Sequence, residues 1–180
     1  AAFYVHMLYI QIKNVHGKED TLITVQVDMF LAENFDMNYI DEQGEKRRPY
    51  IIHRSSIGCY ERTLALLIEK FAGAFPVWLS PTQVRVASLT DRNVAKAKEV
   101  ADALYNAGIR AECDSRNETL GYKIRSWQLE KIPYMLIIGD KESEEGVVAV
   151  RRRGEGDKGK MTLEQFITAV QSEVADKRLD

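Results

Sequence analysis

Hydrophobic positions in the first third of the chain follow a two-residue period. In residues 22–29, Ile23, Val25, Val27 and Met29 fall on one side, with Thr24, Gln26 and Asp28 on the other. Side chains of a strand alternate between faces, so this pattern predicts a half-buried antiparallel strand. Residues 3–13 read the same way, with Leu8, Ile10 and Ile12 in step, and His16 to Asp20 supply the turn between the two. Residues 36–40 and 49–53 predict further strands around a turn at Glu42 to Glu45. The period then changes. Tyr60, Leu64, Leu67, Ile68 and Phe71 recur at helical spacing, which predicts an amphipathic helix over 57–72. Either Ser55 or Ser56 caps it, and Gly73 ends it.

Two prolines in Ala74 to Pro81 interrupt the pattern and mark a domain boundary, giving domains 1–75 and 76–180. Beyond it strands and helices alternate. Strands are expected at 83–89, 109–113, 134–138 and 146–152, and helices at 92–107 and 119–131. Asp91 is the expected cap of the first of these helices and Gly108 its stop. Residues 134–138 (YMLII) are apolar throughout, as a central strand covered on both faces requires. Thr162 and Gln165 have the spacing of a capping box for a last helix running to about Lys177. Arg151 to Lys160, rich in charge and glycine, reads as an exposed loop. The order βαβαββα predicts a mixed sheet flanked by helices, so the fold class is α/β (α+β).

Composition narrows the class. The 180 residues are 45% apolar and 29% charged, as in a soluble globular protein. No apolar run approaches the length of a membrane span, which argues against a membrane partner. The two cysteines, Cys59 and Cys113, lie in separate segments without metal-type spacing, and point to a reducing, cytoplasmic setting. A net charge of −2 excludes a non-specific nucleic-acid binder, whose affinity comes from neutralising phosphates. Arg151-Arg152-Arg153 is then either a local RNA-binding patch or a solvated strand end.

Three groups of residues could carry chemistry. Gly58-Cys59-Tyr60-Glu61-Arg62 opens the first helix with an arginine. A guanidinium is planar and permanently charged, so it can lie across a flat anionic ligand, or it can simply form a surface ion pair. Thr24, Gln26 and Asp28 put three polar groups in a row, which is either a wetted face or a binding surface, since such groups are costly to bury unpartnered. His53 follows an apolar strand end, where a lone histidine is either structural or a ligand.

Residues 49–81 (PYIIHRSSIGCYERTLALLIEKFAGAFPVWLSP) resemble the end of the catalytic domain of threonyl-tRNA synthetases, with Gly58 to Arg62 similar to the third class II signature motif. The resemblance continues through Leu120 to Arg125, Lys131 to Leu136 and Gly139 to Glu142. It implies an antiparallel-sheet remnant of a class II catalytic domain followed by a mixed five-stranded anticodon-binding domain. It implies ATP-dependent attachment of threonine to its tRNA by the intact enzyme. Arg62 would stack on adenine, with Thr24 and Gln26 on the floor of the adenylate site. His53 matches one of three zinc ligands whose other two lie upstream, so no zinc is expected here. Asn117, Arg125, Glu142 and Arg151 match positions that contact anticodon bases.

The resemblance is weakest at the front. Phe3-Tyr4-Val5-His6-Met7 stands where the family carries Phe-Tyr-Gly-Pro-Lys, and Met7 removes a substrate-site charge. The first two class II motifs are absent from these residues, so the chain alone is expected to lack aminoacylation activity and to retain binding of the threonine tRNA anticodon loop. No cofactor is expected in this chain. The alternative is a diverged or engineered scaffold with a repacked front half. The apolar replacements also make a homodimer through residues 1–35 an expectation.

Overall fold

The computed structural model describes residues 4–179, with side chains from His6 onward, so Phe3 and the side chains of Tyr4 and Val5 lie outside the described residues. The chain forms two compact units, residues 1–70 and 71–180.

The first unit is a three-stranded antiparallel sheet of β1 (Tyr4–Lys13), β2 (Glu19–Asp28) and β5 (Ile51–Ser55), ordered β1-β2-β5. A tight turn joins β1 to β2, where Asn14 N donates to Lys18 O at 2.9 Å and Gly17 has a φ of 77°. Between β2 and β5 run a single helical turn, α1 (Leu31–Asn34), and a two-residue hairpin, β3 (Tyr39–Ile40) with β4 (Lys46–Arg47). Asp41 organises that hairpin turn, its carboxylate accepting from Gln43 N and Glu45 N.

Helix α2 covers Tyr60–Phe71, the span of its apolar period, and so starts later than the predicted residue 57. Gly58 has a φ of 78°, outside the helical region. Ser55, not Ser56, makes the hydrogen bond here, accepting from Gly58 N at 2.9 Å. Ala72 and Gly73, both at positive φ, close the far end. Among the described residues of this unit only Asp28 and Ala32 are buried. The apolar stripe of α2 is open, with Tyr60 at 79% and Leu64 at 53% exposure, and β1 is open as well, with Leu8 at 61%. Periodicity marks an apolar stripe on α2, but among the described residues Tyr60, Leu64 and Ile68 of that stripe stay exposed, while Leu67 and Phe71 are half-buried.

The second unit contains its own core. Its elements are β6 (Val84–Ser88), α3 (Val94–Asn106), β7 (Ala111–Asp114), α4 (Leu120–Leu129), β8 (Tyr134–Ile138), α5 (Asp140–Glu145), β9 (Val147–Arg152), β10 (Gly156–Thr162) and α6 (Leu163–Ala175). The five strands are ordered β10-β9-β8-β6-β7. Strands β7, β6 and β8 run parallel, while β9 and β10 add antiparallel. On one face Val84, Val86, Leu136, Ile138, Val148 and Val150 pack with Ala97 and Leu104 of α3 and Phe166 and Val170 of α6. On the other, Ala87 and Met135 lie with Trp127 of α4 and Ile132.

Three expectations are corrected. Asp91 does not cap α3, because a 3-10 turn at Asp91–Asn93 precedes the helix and no side chain makes a cap hydrogen bond there. The stretch Arg151 to Lys160 is not a loop but the β9–β10 hairpin, in which Arg152 pairs with Gly156. Helix α5 was not expected. Its six residues have no apolar stripe, and it forms because Glu142 accepts from Gly139 N while Gly146, at φ 69°, terminates it. The capping box at Thr162 and Gln165 forms as predicted.

Candidate nucleotide and anticodon sites

Strand pairing in the first unit sets the candidate residues in rows. Met7, Gln26 and His53 are successive partners across β1, β2 and β5, and Tyr9, Thr24 and Ser55 form the next row. Gln26 and His53 thus share one face, as the sequence predicted for Thr24 and Gln26. Asp28, at the end of that face, is 1% exposed. Its carboxylate accepts from Phe30 N at 2.8 Å and Leu31 N at 3.0 Å, and its other oxygen lies 3.0 Å from His53 Nε2. The Leu31 N–H above all, with help from His53 and Phe30 N–H, holds the Asp28 carboxyl below the usual carboxylate range.

Arg62 reaches the same strand from α2. Its Nη1 donates to Thr21 O at 3.1 Å. The approach is possible because β2 bulges between its pairings Ile10↔Ile23 and Gln11↔Thr21, while β5 ends at Ser55 opposite Thr24. Gly58 fills the gap. A Cβ there would sit 2.7 Å from Leu22 O, so only glycine lets the signature turn meet the bulge. Strand β2 therefore carries Thr24 and Gln26 and also anchors Arg62.

The zinc set implied by the resemblance does not fit these residues. Among the described residues no three of His, Cys, Asp and Glu converge, and His53 Nε2 is engaged with Asp28. A tetrahedral site needs four ligands.

In the second unit the four anticodon candidates lie around α4 and the hairpin. Asn117 is exposed in the β7–α4 loop, just before the capping Thr119, whose hydroxyl accepts from Tyr122 N. Arg125 is exposed on α4 within a stripe of Tyr122, Gln128 and Leu129. Neither Asn117 nor Arg125 has a side-chain hydrogen bond or ion pair among the described residues, so both can meet a ligand.

Arg151 shares the α4 side of the sheet. It pairs in register with Met135, which packs with Trp127. Its nearest acid is Asp157 at 4.0 Å, its Nε is buried without a partner, and it lines a cavity of about 220 Å³ with Trp127 and Gln128. Glu142 is more committed. One oxygen accepts from Gly139 N at 3.1 Å and the other is 2.9 Å from Lys160 Nζ, whose cation depresses its pKa.

The triple-arginine patch divides by role. Arg152 pairs with Glu155 and the buried Glu173, and its guanidinium lies 5.4 Å over the Tyr134 ring. Arg153 donates to Ala74 O and Phe75 O at 3.1 and 2.8 Å, and also to Lys131 O. Only Arg151 keeps donors for a ligand.

Sequence reasoning missed Arg116, Tyr122 and Lys123. Arg116 holds Asp114 through two hydrogen bonds, Nε to Oδ1 at 2.9 Å and Nη2 to Oδ2 at 2.6 Å. Lys123, 4% exposed, donates to Ser88 O at 3.1 Å and Asp114 O at 3.4 Å. The Asp114-x-Arg116 spacing was the available signal.

A signature turn seated on an antiparallel sheet, followed by a mixed five-stranded unit, defines a class II synthetase core joined to an anticodon-binding domain. Family comparison agrees. The family "Anticodon binding domain" matches residues 83–173, and "tRNA synthetase class II core domain (G, H, P, S and T)" matches residues 2–71.

Among curated relatives, the threonine–tRNA ligase of Clostridium botulinum (strain Eklund 17B / Type B) is 56% identical over 177 residues, covering 98% of this chain and 28% of the relative. That of Listeria monocytogenes is 51% identical over 176 residues, covering 97% of this chain and 28% of the relative. A solved structure, the RNA binding domain of threonyl-tRNA synthetase from Cryptosporidium parvum Iowa II, aligns with a TM-score of 0.84 at 34% identity, covering 96% of this chain and 44% of that one. The chain belongs to the threonyl-tRNA synthetase family and corresponds to the C-terminal part of its curated relatives. It spans 28% of their length. Identity of 56% over 177 residues includes the front unit and disfavours the rebuilt-scaffold alternative. Among the described residues no helix is long and apolar enough to cross a membrane.

Proposed function

We propose that this chain supplies the tRNA-recognising part of a threonine–tRNA ligase and binds the anticodon loop of the threonine tRNA. The observation that carries this reading is the group of available side chains around α4. Asn117 and Arg125 are exposed and uncommitted, and Arg151 lies on the side of the sheet that α4 covers. Unpaired loop bases are read by such donors and acceptors. Glu142 takes part through its fixed carboxylate and not as a mobile acceptor. With a net charge of −2, recognition depends on these contacts more than on bulk charge.

The whole ligase would join threonine to its tRNA at the expense of ATP. In that setting Arg62, Thr24 and Gln26 would hold the nucleotide, the arginine tied to the strand that carries the other two. In this chain alone the face is one wall of a cleft, since its unit buries only Asp28 and Ala32 among the described residues. The chain alone is therefore a binder and not a catalyst. A homodimer contact through residues 1–35 would draw on exposed apolar side chains of β1, with Leu8 61% and Ile10 50% exposed. The free Cys59 and Cys113 suit a reducing compartment such as the cytoplasm.

The test is anisotropy titration of an RNA hairpin carrying the threonine anticodon loop against the 180-residue chain. Arg125→Ala should weaken binding by about 1–3 kcal/mol if it reads a base edge. Unchanged affinity for the variant, or no preference over a hairpin with another anticodon, refutes the assignment.

A further inference from the structure

The anticodon face carries a feature that base-edge readout does not use. Tyr122, at the start of α4, is 52% exposed, and its ring has the Arg116 guanidinium 5.7 Å from its centroid. That guanidinium is fixed. It makes two hydrogen bonds to Asp114, itself 4% exposed, and Nη2 donates further to Ser126 Oγ at 3.2 Å. Asp114 is anchored in turn, because its carbonyl accepts from the buried Lys123, which also donates to the last residue of β6. The tyrosine is held from below too, its backbone N–H donating to Thr119 Oγ1 at 3.3 Å. An exposed aromatic ring on so rigid a base loses little freedom when it is covered.

Its neighbours indicate what covers it. Asn117 follows Arg116 directly, and Arg125 lies three residues from Tyr122 on the same exposed stripe of α4. Both are hydrogen-bonding groups suited to base edges, and a base whose edge is read in the plane presents its flat face to a neighbouring ring. We propose that Tyr122, backed by the Asp114-held Arg116, is the stacking platform for one unpaired base of the anticodon loop, between the readers Asn117 and Arg125. The inference rests on the tRNA-binding reading above. Tyr122 supplies the stack, and Arg116 and Asp114 position it. The platform takes any base and contributes affinity, while the flanking residues supply sequence preference.

The test uses the 180-residue chain and the threonine anticodon hairpin, with 2-aminopurine placed in turn at each loop position. Stacking on an aromatic ring contributes about 1–3 kcal/mol per base, a 5- to 150-fold change. Tyr122→Leu should weaken binding by that factor without altering the salt slope, since no charge is removed. Tyr122→Phe should bind within about twofold of the native chain, as the ring is retained. One 2-aminopurine position should be quenched on binding by the native chain and by Tyr122→Phe, and remain bright with Tyr122→Leu. The proposal is overturned if Tyr122→Leu binds like the native chain, or if no loop position loses its quench in that variant. Should those results coincide with weakened binding by Arg125→Ala, the platform fails while the tRNA-binding reading stands. If the native chain does not bind the hairpin, both fail.

Discussion

Replacing Gly58 with alanine tests whether the signature turn is built around one close approach. Two costs are separable. At a φ of 78° an L-residue costs about 1–2 kcal/mol relative to glycine. The new Cβ would also stand 2.7 Å from Leu22 O, a backbone atom that cannot swing aside as a side-chain tip could. Relieving such an overlap by shifting the chain costs about 1–3 kcal/mol more. The sum is about 2–5 kcal/mol. Gly44→Ala provides the control, because Gly44 has a φ of 79° with nothing near its hypothetical Cβ, and it should show only the first cost. Hydrogen exchange on the amides of β2 and α2, with far-UV melting of the whole chain, measures both variants. At about 4–8 °C per kcal/mol for a domain of this size, Gly58→Ala should lower the melting of the first unit by at least about 8 °C. Equal losses for the two variants, or exchange accelerated only in the second unit, would refute the reasoning.

Three further outcomes follow from the described geometry. The Asp28 carboxyl is depressed in the folded state, so the unfolded chain binds more protons in acid. Its contribution is fully present above the unfolded value of about 3.9 and is lost as pH falls through the lower folded value. Melting measured between pH 2 and 5 should therefore be flatter for Asp28→Asn than for the native chain. Glu173→Ala should destabilise the second unit by about 1–3 kcal/mol in urea unfolding, because it removes one of the two carboxylates that Arg152 pairs with and takes the acceptor from the buried Tyr134 hydroxyl. Tyr134→Phe, which removes only one partner of that network, should cost about 1 kcal/mol in the same assay.

Where a segment buries an apolar face, the sequence shows it. The continuous run at 134–138 became the central β8, and the Thr162–Gln165 spacing became a working cap. The misses share a physical cause. Helix α5 (DKESEE) and strand β10 (GDKGKMT) have no apolar period, since each is specified by neighbours: a carboxylate folding back on Gly139 N, and hairpin pairing with β9. The stripe on α2 shows the complementary limit, because period identifies a face but not whether anything lies upon it. For the sites, the family resemblance marked Arg125 and Glu142 alike as anticodon positions. Only geometry separates the unoccupied guanidinium from a carboxylate already serving as cap and ion-pair partner. The Arg116–Tyr122 pair was invisible because its partners are six residues apart across a strand end and a helix start.

The hairpin that closes the second unit has a consequence for self-association. A free sheet margin presents unpaired amides to any passing strand. Here one outer margin is β10, where Asp157, Lys158 and Lys160 bring charge and the register slips between Asp157 and Gly159. The opposite margin, β7, is only four residues long and carries Glu112 and Asp114. Neither rim offers the long, flat, uncharged template that fibril growth requires, so this unit can be concentrated without zipping edge to edge.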